Sequence, residues 1–206
     1  MSLLEFDHIA VSCTDLQRDA QTLESRLNVP LAQGGHHPTM GTYNRLLSLG
    51  PSAYFELIAI DPEAPPPGRP RWFGLDQFSG PARLTNWILR CQDLDDALAV
   101  LPSGFGTPMT LQRGNLRWRM AVPETGILPF EGWAPALIEW QSPTHPCQSL
   151  PDQNVRLDRL CLKHPQSTEM HALLAPLLEP GTIHFEPAER PALLAEFETP
   201  AGRVAL

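Results

Sequence analysis

The chain has 206 residues, 42% of them hydrophobic and 18% charged. That is enough for one substantial core or two small ones, and too apolar for a disordered chain. The formal net charge is -8 and Lys163 is the sole Lys among Arg-dominated basic residues, so no basic stripe exists to track phosphates, which argues against nucleic acid as a partner.

The opening stretch LLEFDHIAVS (3–12) is rich in strand formers and reads as a first strand rather than a signal peptide. No apolar run is long enough to span a bilayer, so the expectation is a cytoplasmic protein with no membrane partner. Cys13, Cys91, Cys147 and Cys161 form no CxxC pair and are expected to be free, buried thiols. Thr14 is a plausible N-cap with Asp15 in the first turn, after which Leu16, Ala20, Leu23 and Leu27 recur at helical spacing. Asn28-Val29-Pro30 ends that helix. A loop with Gly34, Gly35, His36, His37 and Pro38 follows, then two strand-like runs at 43–50 and 53–61. The Pro-rich stretch 61–76 cannot lie in a sheet centre, yet it carries Arg71, Trp72 and Phe73. Such a loop suits either a pocket wall or a linker whose Trp packs over a core edge.

The pattern then restarts. FDHIAVSCTDL (6–16) and LTNWILRCQDL (84–94) align without gaps at an offset of 78. Leu94, Ala97, Leu98 and Leu101 give a second helical stripe, and strand-like runs follow at 114–122 and 134–142. A repeat of this length indicates a duplicated supersecondary unit. Residues 142–154 read as a connector. Beyond it come a strand at 155–165, a helix at 168–178 and strand-like runs at 183–189 and 192–206, as in a shortened third copy.

Two polar residues stand out on otherwise apolar strands. With strict alternation, Phe6, His8 and Ala10 share one face of the first strand, and Glu56 sits in AYFELI with Phe55 and Leu57 pointing the other way. A buried, ionised Glu56 needs a cation, a hydrogen-bond partner or a raised pKa. A divalent metal would satisfy both His8 and Glu56. Equally, His8 could be a core histidine on a backbone carbonyl, and Glu56 could pair with an Arg such as Arg45. Glu139 lies in PALIEW much as Glu56 lies in AYFELI, and Asn86 matches His8. Asn44 opens a strand and could orient a polar group. His37, Arg71, Trp72 and Trp118 are further candidate substrate contacts, although an exposed His36-His37 pair and a solvated Arg117–Arg119 face are the plainer readings. His145 and His164 each precede Pro and are assigned to connectors. The chain has no phosphate-binding glycine loop, GxSxG elbow or HExxH helix, so no nucleotide cofactor is expected.

A duplicated βαβββ unit with His in the first strand and Glu in the last resembles the vicinal oxygen chelate superfamily, which holds glyoxalases, extradiol dioxygenases and bleomycin-resistance proteins. The likeness is carried by DHIAVS-DL (7–16), HP-GT-N-LLSLG (37–50) and GRPRWFGLD (68–76). It implies an α+β fold in which paired βαβββ modules form a curled mixed sheet of half-barrels around a cavity, followed by a shortened C-terminal βαββ segment. The expected divisions are 1–76, 77–142 and 143–206. By position the resemblance implies His8, Glu56, Asn86 and Glu139 as metal ligands, with Glu56 and Glu139 as catalytic bases. Two readings of function follow. One is a metal-dependent lyase or isomerase acting on a small oxygenated substrate; the other is a binding protein that sequesters a small molecule. Half-barrels of this kind pair within one chain or between chains, which leaves a homodimer open.

Overall fold

The structure, a computed structural model, describes residues 3–206. The first module runs β1 (Glu5–Ser12), α1 (Leu16–Leu27), β2 (Ala32–His37), β3 (Thr42–Ser48) and β4 (Tyr54–Ile60). The second repeats this as β5 (Arg83–Arg90), α2 (Leu94–Ala99), β6 (Thr107–Arg113), β7 (Leu116–Val122) and β8 (Ala136–Trp140). All eight strands join one mixed sheet in the order β2-β3-β4-β1-β5-β8-β7-β6. The two first strands, β1 and β5, lie side by side and antiparallel at its centre, so the sequence repeat is also a spatial one.

Local chemistry fixes the repeat. Asp15 caps α1 by accepting the Arg18 N–H, and Asp93, 78 residues on, caps α2 by accepting the N–H groups of Asp95 and Asp96. The cap of α1 is therefore Asp15 rather than Thr14. Leu16, Ala20, Leu23 and Leu27 bury one face of α1. Asn28 ends it in the left-handed conformation, with φ 55°.

Two segments expected as loop or left unassigned are strands. Gly34 to His37 belong to β2, and β6 occupies Thr107–Arg113. These are the two edges of the sheet.

The C-terminal segment contains β9 (Arg156–His164), α3 (Ser167–Leu174), β10 (Ile183–Pro187), β11 (Ala192–Thr199) and β12 (Gly202–Ala205). Residues 192–206 thus form a hairpin rather than a single strand. The sheet order is β10-β9-β11-β12, in which the first strand pairs with the strand directly after the helix, unlike either module. This second sheet covers one face of the large one. Phe197 meets Phe55 edge-on at 6.3 Å between ring centroids, and Phe185 meets Trp87 at 6.1 Å. Phe55 and Trp87 are fully buried. Residues that alternate with them, such as Glu56, are thereby turned to the opposite, concave face.

All four cysteines are buried and unpaired. Burial, reinforced by nearby carboxylates, pushes the Cys13 and Cys91 thiols up to about 12, so they behave as small apolar side chains. Among the described residues, no helix is long and apolar enough to cross a membrane.

Candidate functional site

The concave face holds a small cavity of about 30 Å³, lined among others by His8, Asn44, Glu56, Trp72, Trp118 and Trp140. That is room for about one water molecule. Around it runs a continuous buried polar network.

The network starts at Asp7. Glu5 and Phe6 pair with Arg90 and Leu89, but the next pair is His8 with Ile88, so Asp7 is the extra residue of a β-bulge. The bulge turns Phe6 and His8 to opposite faces, whereas strict alternation would place them together. It also brings the Asp7 carboxylate alongside the His8 ring. Asp7 is fully buried. One of its oxygens accepts from His8 Nδ1 at 2.6 Å; the other accepts from His145 Nε2 at 2.9 Å and Trp140 Nε1 at 3.0 Å. Burial on its own would raise the pKa of Asp7, but the hydrogen bonds from His145 and His8 and their charges outweigh it and hold the carboxyl well below the usual range. The Asp7 carboxylate orients the ring through Nδ1 and turns Nε2 toward the cavity.

Glu56 faces that nitrogen. Glu56 Oε1 accepts from Asn44 Nδ2 at 2.5 Å. The amide is oriented from its other end, where Asn44 Oδ1 accepts the Gly35 N–H at 2.9 Å and Arg113 Nη1 at 3.0 Å. Glycine at 34 is what permits this approach: a Cβ there would lie 2.0 Å from Asn44 Oδ1. Glu56 Oε2 then lies 3.7 Å from His8 Nε2, and the Tyr54 hydroxyl lies 3.5 Å from the same nitrogen. At 3.7 Å the Glu56 oxygen lies just beyond direct hydrogen-bond reach of Nε2. The Tyr54 ring stacks on His8 at 4.2 Å. Burial, then the charges of Asp7 and Glu56, pushes its hydroxyl pKa well above 10, so it remains a donor.

His37 closes the far end. It is buried, contrary to the expectation of exposure, whereas His36 is largely exposed and pairs with Asp61. His37 Nε2 accepts from Arg113 Nη1 at 3.2 Å and Nδ1 donates to Thr42 Oγ1 at 3.0 Å. Burial, followed by the Arg113 charge, pulls its pKa down to about 3. Trp72 lies over His37 edge-on at 5.2 Å, and Trp118 at 6.1 Å.

Of the residues singled out from sequence, His8, Asn44, Glu56, His37, Trp72 and Trp118 come together here. Three others do not. Arg71 is tied to Asp76 at 2.5 Å and to the Gly41 carbonyl. Asn86 lines a larger pocket. Glu139 accepts from Arg119 Nη1 at 3.0 Å and from the N–H of Leu94, the first residue of α2. The register explains Glu139. In the first module Ala10 pairs with Glu56. The matching residue of β5, Ile88, pairs with Ala136. Likewise Cys13 donates to the Ile58 carbonyl and Cys91 to that of Ile138. The spatial counterpart of Glu56 is thus Ala136. Glu139 lies three residues further on, an odd number that turns it to the other face. Arg45 does not reach Glu56; Asn44 and His8 do.

This donor set does not fit a metal held by four side chains. The four equivalent positions carry His8, Glu56, Asn86 and Ala136, and Ile138 and Trp140 present apolar surface where β8 meets the cavity. Among the described residues, no group of three or more His, Cys, Asp or Glu side chains is arranged to hold an ion.

Asp7, His145, Tyr54, Arg113 and Trp140 were not singled out from sequence. Asp7 was hidden by the bulge. The His145-Pro146 signal does mark a turn, a short 3-10 segment at Pro146–Gln148 that His145 itself caps, but the same ring reaches Asp7.

The comparisons with known proteins agree with this fold. A family described as "Glyoxalase-like domain" matches residues 6–178. No curated protein matches the chain in sequence. Among solved structures, a hypothetical protein from Staphylococcus aureus superimposes with TM-score 0.67 at 16% identity, covering 91% of this chain and 87% of that one. Methylmalonyl-CoA epimerase from Mycobacterium tuberculosis gives 0.46 at 19%, covering 68% and 89%. The Streptomyces coelicolor enzyme of that name gives 0.45 at 15%, covering 70% and 98%. At these scores the two epimerases say nothing of activity. The family match spans most of the chain and both modules, and the chain belongs to the glyoxalase-like domain family within the vicinal oxygen chelate superfamily.

Proposed function

We propose that the protein moves a proton on a small oxygenated molecule, with His8 and Glu56 as its acid–base pair. The observation that carries this reading is the facing of His8 Nε2 and Glu56 Oε2 at 3.7 Å, each held by its other end. Asp7 orients the imidazole, and Asn44 orients the carboxylate. A substrate C–H or O–H placed beside both atoms meets two bases, and a proton taken by one is within reach of the other. Among the described residues Trp72 Nε1 is buried without a hydrogen-bond partner, and it can donate to a substrate oxygen once the cover over the cavity moves. In this reading the reaction is of lyase or isomerase type, and the residues that carry it need no ion held by four side chains.

The cavity must open to admit anything larger than water. Its cover, Trp72-Phe73, sits on a strained turn: Phe73 has φ 60° and Gly74 φ 63°. For a bulky residue such backbone costs on the order of 1 kcal/mol or more, which lowers the cost of leaving that conformation.

The test is solvent exchange. Hydroxyacetone, pyruvate and 2-oxobutyrate are incubated with the protein in deuterated buffer and followed by proton NMR. Deuterium is expected to enter the carbon next to the carbonyl faster than in buffer alone, before and after dialysis against EDTA. Glu56→Gln and His8→Ala should each slow this by about a hundredfold. Exchange at the buffer rate for all three compounds, or exchange unchanged in both variants, overturns the reading.

A further inference from the structure

Arg113, the last residue of edge strand β6, reaches across to β2 and β3 and lines the cavity beside His8. Of the described residues in that wall, it is the only one with a permanent positive charge. Its Nη1 donates to His37 Nε2 at 3.2 Å and to Asn44 Oδ1 at 3.0 Å. Both partners are uncharged at neutral pH, because an amide carries no charge and His37 takes a proton only near pH 3. Arg71, by contrast, is paired with Asp76, and Arg119 with Asp95 and Glu139. Among the described residues, no carboxylate is paired with Arg113.

The rest of the guanidinium is open. Nε and Nη2 make no hydrogen bond among the described residues, and neither is an enclosed atom. These two nitrogens form one edge of the planar group, with parallel N–H bonds spaced to meet the two oxygens of a carboxylate. Nη1 is fixed from the other side, so the open edge is held in place before a ligand arrives. The backbone makes room for it. A Cβ on Gly35 would lie 2.7 Å from Arg113 Cδ and 3.4 Å from Nε, so glycine at 35 serves Arg113 as glycine at 34 serves Asn44.

The placement relative to the bases is equally specific. Asn44 bonds Arg113 through Oδ1 and Glu56 through Nδ2, so a single amide group separates the guanidinium from the base. In a 2-oxo acid the carboxylate, the carbonyl and the carbon with the labile proton are consecutive, a separation of the same order. The buried charge of Asp7 lies on the His8 side and disfavours an anion there, which leaves the Arg113 end for the negative group.

We propose that Arg113 receives the substrate's carboxylate, and that the molecule on which His8 and Glu56 act is a small 2-oxo acid rather than an uncharged ketone. The substrate class rests on the proton-transfer reading above; the carboxylate site rests on Arg113 alone. A carboxylate seated on Nε and Nη2 displaces neither of the bonds at Nη1.

The test has two arms. In ordinary water, binding of pyruvate and of hydroxyacetone is measured by saturation-transfer NMR of their methyl groups. Pyruvate is expected to bind about tenfold tighter, and Arg113→Gln should remove that difference. In deuterated buffer, the ratio of pyruvate exchange to hydroxyacetone exchange should fall about thirtyfold in Arg113→Gln and about threefold in Arg113→Lys, which keeps the charge without the fork. The lysine variant serves alone if the glutamine variant does not fold. Arg113 also steadies Asn44 and, through it, Glu56. A purely structural role would therefore slow both compounds alike and leave the ratio unchanged, and that result overturns the proposal. So does pyruvate that binds no better than hydroxyacetone. Arg113-dependent binding of pyruvate with no exchange of either compound would support the carboxylate site and overturn the proton-transfer reading instead.

Discussion

Asp7 sets the orientation of His8, although it does not itself line the cavity. With three hydrogen-bond donors on a fully buried carboxylate, it is one of the few ways to keep a charge inside a sheet. Asp7→Asn would leave donors facing an amide that can accept only through one oxygen. It should cost about 3 kcal/mol in urea unfolding, and it should slow deuterium exchange even where the protein remains folded. His37 makes a separate prediction about pH. Unfolded, it titrates near 6.5; folded, it takes a proton only near 3. Between those values the unfolded state binds more protons, so acidification favours unfolding, by about 1.4 kcal/mol per pH unit from this residue. His37→Gln should flatten the fall in stability between pH 6 and pH 4, as read from urea midpoints. An equal slope in both proteins would show that His37 is not buried and neutral.

At the scale of elements, what was legible in the sequence followed the strength of the period. The central strands β1, β4 and β5 are buried on both faces and read as apolar runs. The edge strands β2 and β6 are half-exposed: β2 is Ala-Gln-Gly-Gly-His-His and β6 contains a Pro, features that a sequence presents as loop. The His8–Glu56 meeting was legible because both lie on central strands. The Asp7 bulge and the three-residue shift of Glu139 were not, because alternation carries no sign of an inserted residue or of which residue faces which across a parallel pair. The glycines of β2 acquire their meaning only from Asn44. Gly34→Ala should push the Asn44 amide from its place, destabilise the fold by about 1–3 kcal/mol, and release Glu56 from its hydrogen bond. The expected readout is a lower urea midpoint together with loss of exchange activity. A fully stable and active Gly34→Ala protein would contradict the close approach.

Across the whole molecule, the duplication gives a symmetric frame whose side chains are not symmetric. His8 and Glu56 on one side are answered by Asn86 and Ala136 on the other, so the buried acid–base pair lies in the first module. The second contributes walls, Trp118, Ile138 and Trp140, and Arg113 from its edge strand. The C-terminal sheet seals the opposite face through Phe185 and Phe197 and helps enclose the larger pocket. For His8 and Glu56 to act as proposed, His8 must present an unprotonated Nε2 toward Glu56. Nitrogen NMR of the histidine rings at pH 8, with His8 assigned through His8→Ala, tests this most directly. The proton should sit on Nδ1, and the Nε2 signal should shift on Glu56→Gln. A proton on Nε2, or a signal indifferent to Glu56, would contradict it.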